Sequence, residues 1–345
     1  MSMNRSPGGL ETLHPAYFAM VMATGIVSLA AFLLGFIPIA WTLFVFNIGV
    51  YWILWGLYVA RLVLYPRAVL SDLTNHSRGV GFFTIIAGTC VLGSQFVIIA
   101  KAPGIALSLW LLGILLWAVL TYGILTILTV NTTKPTLIKG LNGGWLVAVV
   151  ATQSVSILGS QLTDRFDWAR PPVVFFCLVM WLGGGMLYIW LISLIFYRYT
   201  FFEMSAADLA PPYWINMGAV AISTLAGTFL ISNSSQAPLL EELLPFIKGM
   251  SLLFWATATW WIPMLVTLGF WRHVYARVPL QYDPLYWGAV FPLGMYTVCT
   301  YRLAMTVDAP FLGLIANTFV YVALLAWAAT LLGLCHSLLP RRRSG

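Results

Sequence analysis

The chain has 345 residues, 61% of them hydrophobic and only 8% charged, where soluble domains carry about a quarter charged. This excludes an ordinary soluble domain and indicates a polytopic membrane protein. The net charge of +7 does not point to nucleic acid, because the basic residues lie between apolar runs rather than in a patch interleaved with aromatics.

Arg5 precedes an apolar run from Pro15 to about Phe36. That run is too long for a signal-peptide core and lacks a small-x-small exit, so it reads as the first retained span. Apolar length and Pro, Gly and charge punctuation place ten spans. They are approximately Pro15–Phe36, Ile39–Leu62, Gly79–Ile99, Ile105–Leu128, Trp145–Gln161, Val173–Phe196, Tyr213–Ser232, Phe246–Phe270, Leu285–Met305 and Phe311–Leu334. The expected division is a segment 1–14, a transport domain 15–334 and a basic tail 335–345.

Connectors alternate in basicity. Arg5, Arg61, Arg67, Arg78, Lys134, Lys139, Arg198, Arg272, Arg277 and the Arg341-Arg342-Arg343 tail fall on one side; Lys101, Arg165, Arg170 and Lys248 fall on the other. The positive-inside rule then puts both termini in the cytoplasm of a cell-membrane protein.

The first, seventh and ninth spans open alike, on His14-Pro-Ala-Tyr-Phe18, Pro211-Pro-Tyr-Trp-Ile215 and Asp283-Pro-Leu-Tyr-Trp287. Odd spans recur about every 65 to 70 residues, the period of a helical hairpin. The expected fold is an all-α integral membrane protein of five hairpins. Small and polar residues concentrate on the odd spans: Thr24, Gly25, Ser28, Thr89, Gln95, Gln153, Ser156, Ser223, Thr224 and Gly227. Bulky residues mark the even spans, as in Tyr51 to Trp55 and Trp110 to Trp117. Polar odd helices are therefore expected inside, lining a pore, with apolar even helices outside against lipid. Close helix packing is the competing role for any one of these residues.

No span holds a carboxylate away from its ends, which disfavours a cation path or a protein-borne proton relay. Arg302 is the basic residue set inside a span. It follows Phe291 by eleven residues, which returns to nearly the same helix face about 16 Å further along, with Met295 and Val298 on that stripe. Pro292 removes a backbone donor and crowds the carbonyl of Gly288. Phe291 is accordingly a candidate gate, or a packing residue, and Arg302 an outer anion attractor, or an arginine reaching the interface.

Cys90, Cys177, Cys299 and Cys335 have no paired spacing, so neither a disulfide framework nor a metal site is expected. His14, His76, His273 and His336 lack ligand spacing, and no nucleophile motif occurs. No cofactor and no enzymatic activity are expected.

Three phrases, His14 to Ser28, Trp214-Ile-Asn-Met-Gly-Ala219 and Trp287-Gly-Ala-Val-Phe-Pro-Leu-Gly-Met-Tyr-Thr297, resemble the tellurite-resistance/dicarboxylate transporter family. That family includes bacterial TehA, yeast malate and sulfite transporters and plant slow anion channels. The resemblance covers effectively the whole membrane domain. It implies ten helices with the odd ones around an anion conduit, an occluding phenylalanine at Phe291, and a homotrimer with one pore per subunit. Gly25, Gly88, Gly159 and Gly227 stand in the odd spans in place of the channel branch's mid-helix prolines. The expected cargo is a small anion, a C4-dicarboxylate such as malate, or sulfite. A chloride or nitrate channel and a tellurite-resistance exporter are alternatives, followed by a proton-coupled symporter and a non-conducting receptor.

Overall fold

In the computed structural model, residues 9–166 and 169–339 are described. Arg5, Asp167 and Arg341 to Arg343 lie outside them. The long helices are α1 (Ala19–Leu33), α2 (Ile37–Leu64), α3 (Phe83–Ile98), α4 (Pro103–Val130), α5 (Val147–Gln161), α6 (Arg170–Phe201), α7 (Ile215–Ser232), α8 (Leu244–Phe270), α9 (Trp287–Thr306) and α10 (Gly313–Leu338). Among the described residues, nine helical stretches are long and apolar enough to cross a membrane. The stretch that falls short is α9, which spends positions on Gly288, Pro292, Gly294, three Thr residues, two Tyr residues and Arg302.

Even helices are longer than the sequence indicates. Arg198 therefore lies within α6 rather than in a connector, while Lys248 stands near the start of α8 and Arg61 in the last turn of α2. Odd helices are shorter because each is entered through a tight 3₁₀ turn: Pro15–Phe18, Gly79–Phe82, Gly143–Leu146, Pro211–Trp214 and Pro284–Tyr286. Proline at the first position loses no helical hydrogen bond. Side chains cap three of the turns: His14 Nδ1 accepts the Ala16 N–H at 3.0 Å, Asn142 Oδ1 the Gly144 N–H at 2.8 Å and Asp283 Oδ1 the Leu285 N–H at 2.7 Å. Each turn packs on the next, and the last on the first.

The same cyclic order runs through the helices: α1 packs on α3, α3 on α5, α5 on α7, α7 on α9 and α9 on α1. Burial separates two classes. The odd stretches through α7 are 83–89% buried, and the even ones 11–44%. The even helices turn Trp52, Leu115, Trp190, Leu253 and Leu325 outward, a surface that hydrocarbon solvates and water does not.

Aromatic hydrogen bonds join each even helix to a neighbouring odd one. Tyr51 on α2 meets the Thr89 hydroxyl at 3.2 Å. Trp117 on α4 donates to Thr152 Oγ1 at 2.9 Å, and Trp181 on α6 to the Ser223 carbonyl at 2.9 Å. Trp255 on α8 donates to Thr300 Oγ1 at 3.0 Å. Trp327 on α10 donates to Thr24 Oγ1 at 2.9 Å and so ties the last helix to the first.

Candidate functional site: two cavities on one axis

A cavity of about 170 Å³ is walled by all five odd helices. Each contributes residues at i, i+3 and i+7: Ile26, Leu29 and Leu33; Val91, Ser94 and Ile98; Ser154, Ile157 and Gln161; Ile222, Leu225 and Phe229; Met295, Val298 and Arg302. This spacing keeps one helical face turned inward over two turns.

The register continues toward the helix N-termini. Ten residues before each stripe's first member stand Ala16, Gly81, Gly144, Pro212 and Leu285, and seven before stand Ala19, Thr84, Val147, Ile215 and Gly288. All ten line a second cavity of about 70 Å³, inside the cycle of 3₁₀ turns. Four residues before stand Met22, Ala87, Val150, Gly218 and Phe291. At this level only Met22 and Phe291 reach a cavity, the second one. Phe291 is fully buried. Its four counterparts in the register are smaller side chains, and Met295 of the first cavity follows it by about one helical turn.

Glycines at and beside this level bring helices together. A Cβ on Gly218 would lie 2.7 Å from the Pro292 ring, and one on Gly294 2.9 Å from Ile26. α9 is thus held closely between α7 and α1.

The predicted polar wall turns away from both cavities. Ser28 donates to the Ala40 carbonyl of α2 at 2.8 Å, and Gln95 accepts from Asn47 of α2 at 2.7 Å. Gln153 and Ser156 donate to the Trp181 and Cys177 carbonyls of α6, at 3.0 and 2.7 Å. Thr24, Thr89 and the Ser223 backbone receive the aromatic bonds described above, and the Ser223 and Thr224 hydroxyls bond their own helix. Gly25 faces Val91 and Asn47, and Gly227 faces Ser251 and Trp181. The hydroxyls and amides among them that reach an even helix tie odd to even helices, because an unbonded one in hydrocarbon costs more than one bonded across a helix pair. Gly88 and Gly159 also sit at close approaches, to Phe18 and to Cys177 with Trp110.

The cavity faces are mostly apolar, with polarity gathered at the end of the larger one. Arg302 Nη2 donates to Ser232 Oγ at 3.2 Å, and its guanidinium carbon lies 4.4 Å from the Phe229 ring centroid. Its Nε is buried without a partner, as is Gln161 Oε1. Among the described residues no carboxylate pairs with Arg302, and neither cavity is lined by one. Ser94, Ser154 and Gln161 stand in the polar runs of the odd spans, which do not by themselves separate them from their neighbours, and Phe229 stands outside those runs. The signal that finds them is the i, i+3, i+7 stripe of α9 carried to the other odd helices.

Helix length, outward apolar surface and an enclosed axis define an all-helical integral membrane protein. Residues 12–335 match the SLAC1 family, described as voltage-dependent anion channels, and the chain belongs to that family. It is 40% identical over 152 residues to an uncharacterized membrane protein of Mycobacterium tuberculosis, covering 44% of this chain and 77% of the relative. It is 22% identical over 330 residues to an uncharacterized transporter of Methanocaldococcus jannaschii, covering 94% of each chain. It is 20% identical over 344 residues to the sulfite efflux pump SSU1 of Arthroderma benhamiae, covering 92% of this chain and 88% of the relative. The family and these relatives support membrane transport of anions.

Proposed function

We propose that the protein moves a small anion, sulfite or a C4-dicarboxylate such as malate, along the axis of the odd helices. In this reading all ten long helices cross the membrane as five hairpins, odd inside and even outside, with Phe291 closing the path. The observation that carries it is Arg302: a cation on the wall of an axial cavity, with a buried, unpartnered donor and, among the described residues, no carboxylate partner. Such a charge raises the local concentration of anions. α9 needs no long apolar run to span, because its neighbours shield its polar positions from lipid. Sulfite is favoured by the near full-length similarity to a sulfite efflux pump.

Purified protein in proteoliposomes provides the test, with radiolabelled sulfite and malate and parallel current recordings. Phe291→Ala is expected to raise flux at least several-fold; unchanged flux removes Phe291 from the gate. No anion flux in either protein removes the transport reading. The proposed assembly is a homotrimer in the cell membrane with cytoplasmic termini, checked by mass measurement in detergent and by terminal-tag accessibility in spheroplasts.

A further inference from the structure

Two more cavities meet on the flank of α9, away from the axis. One, of about 160 Å³, lies where the end of α8 meets the Pro211–Trp214 turn and contains Arg272, His273 and Tyr286. The other, of about 360 Å³, runs between α9 and α10 over Leu293, Ala329 and Gly333. Trp214, Tyr286 and Ala289 border both, so a chamber that holds Arg272 and His273 adjoins an apolar groove.

The chamber has a fixed cation. Arg272 Nη1 donates to the carbonyls of Ala206, Ala207 and Leu209 at 2.7, 3.1 and 2.7 Å. Among the described residues no carboxylate pairs with Arg272, and none accepts a hydrogen bond from its Nε or Nη2. His273 Nδ1 lies 2.9 Å from the Val278 carbonyl, so that nitrogen carries the hydrogen. Both side chains sit on Trp271–Tyr275, where α8 widens into a single π turn, a distortion that re-aims side chains and recurs at functional sites. The groove is walled by small α10 residues and opens beside exposed Tyr321, Val322 and Leu325, a face whose solvent is lipid.

We propose that chamber and groove together bind one anionic glycerophospholipid from the leaflet at the Arg272 end. Its phosphate meets Arg272, and one acyl chain lies along the groove. Charge complementarity selects the head group, and the apolar floor selects the chain. A soluble anion would leave the groove empty, and a neutral lipid would leave the cation unpaired. The groove floor includes Val290 and Leu293, so the bound chain supports the back of the helix that carries Phe291.

The purified full-length protein in detergent is titrated with phosphatidylglycerol and with phosphatidylcholine of the same acyl chains, and bound lipid is read by native mass spectrometry. Phosphatidylglycerol is expected to bind more tightly. Arg272→Gln is expected to weaken it about fivefold, the effect of one basic side chain at an anionic surface, and to leave phosphatidylcholine unchanged. Ala329→Trp, which fills the groove and spares the cation, is expected to weaken both lipids. If Arg272→Gln misfolds on gel filtration, Arg272→Lys, which is expected to bind normally, and Ala329→Trp decide. Equal binding of the two lipids overturns the proposal. So does glycerol 1-phosphate competing as well as intact lipid, or Ala329→Trp dissociating an oligomer without altering lipid binding.

Discussion

Arg302 and His14 show how one side chain's surroundings set its role. Among the described residues no carboxylate neutralises the positive charge of Arg302, and two unit charges about 4 Å apart interact by about 4 kcal/mol at the effective dielectric of a partly wet protein site. Arg302→Gln is therefore expected to lower anion current about tenfold or more at low anion concentration, and Arg302→Lys to retain most of it. Currents in proteoliposomes at graded salt check this, because screening narrows the difference. His14 precedes the first apolar helix, and its Nδ1 accepts the hydrogen bond that caps the Pro15–Phe18 turn. Burial, and then the Arg78 charge, hold its imidazole down at about 4, against 6.5 unperturbed. The unfolded chain thus takes up a proton that the fold refuses, so His14 costs stability progressively as pH falls from about 6.5 to about 4, by up to about 3 kcal/mol. His14→Asn, which keeps a capping acceptor but does not titrate, is expected to flatten that part of the stability curve; melting temperature against pH in detergent reads it.

At the scale of helices, polarity and position separate. The odd helices are polar where they meet the even ones and apolar where they face the axis, the reverse of a simple wet wall. An indole N–H or amide inside a membrane must find its acceptor on another helix, and the even helices supply these partners at one site after another. Trp327→Phe removes the bond that ties α10 to Thr24 while keeping an aromatic ring. It is expected to cost about 0.6 to 1.7 kcal/mol, and Thr24→Val in the same background to add little. A double-mutant cycle on unfolding in detergent measures the coupling.

For the whole molecule, closure depends on contacts far apart in sequence. The odd helices close a cycle of contacts because α9 packs on α1, and α10 bonds to α1 as well. At the N-terminal end of the odd helices, a buried charge cluster locks the start of the chain to this cycle. Arg61 Nη2 meets Asp72 Oδ2 at 2.7 Å, Arg78 Nε meets Asp72 Oδ1 at 2.5 Å, and Arg61 also donates to the Glu11 carbonyl at 3.1 and 3.0 Å. Asp72→Asn leaves the Arg61 charge buried without its counter-ion and is expected to cost about 3 to 5 kcal/mol, seen as a lower unfolding midpoint in detergent.

Membrane class and the approximate helix positions were legible in the sequence, because a span needs a long apolar run. The α9 stripe through Phe291, Met295, Val298 and Arg302 was legible too, since helical geometry places those residues on one face of their own helix. What faced that stripe was not. Ser28, Gln95, Gln153 and Ser156 have the composition expected of a polar wall, yet each turns outward, because its hydrogen-bond partner is a residue of an even helix whose place only the packing decides. The apolar Ile26, Leu29, Ile222 and Leu225 carry no local mark of an axis. Composition sets which residues enter the membrane. The packing of one helix against the next sets which face of each helix meets the space at the centre.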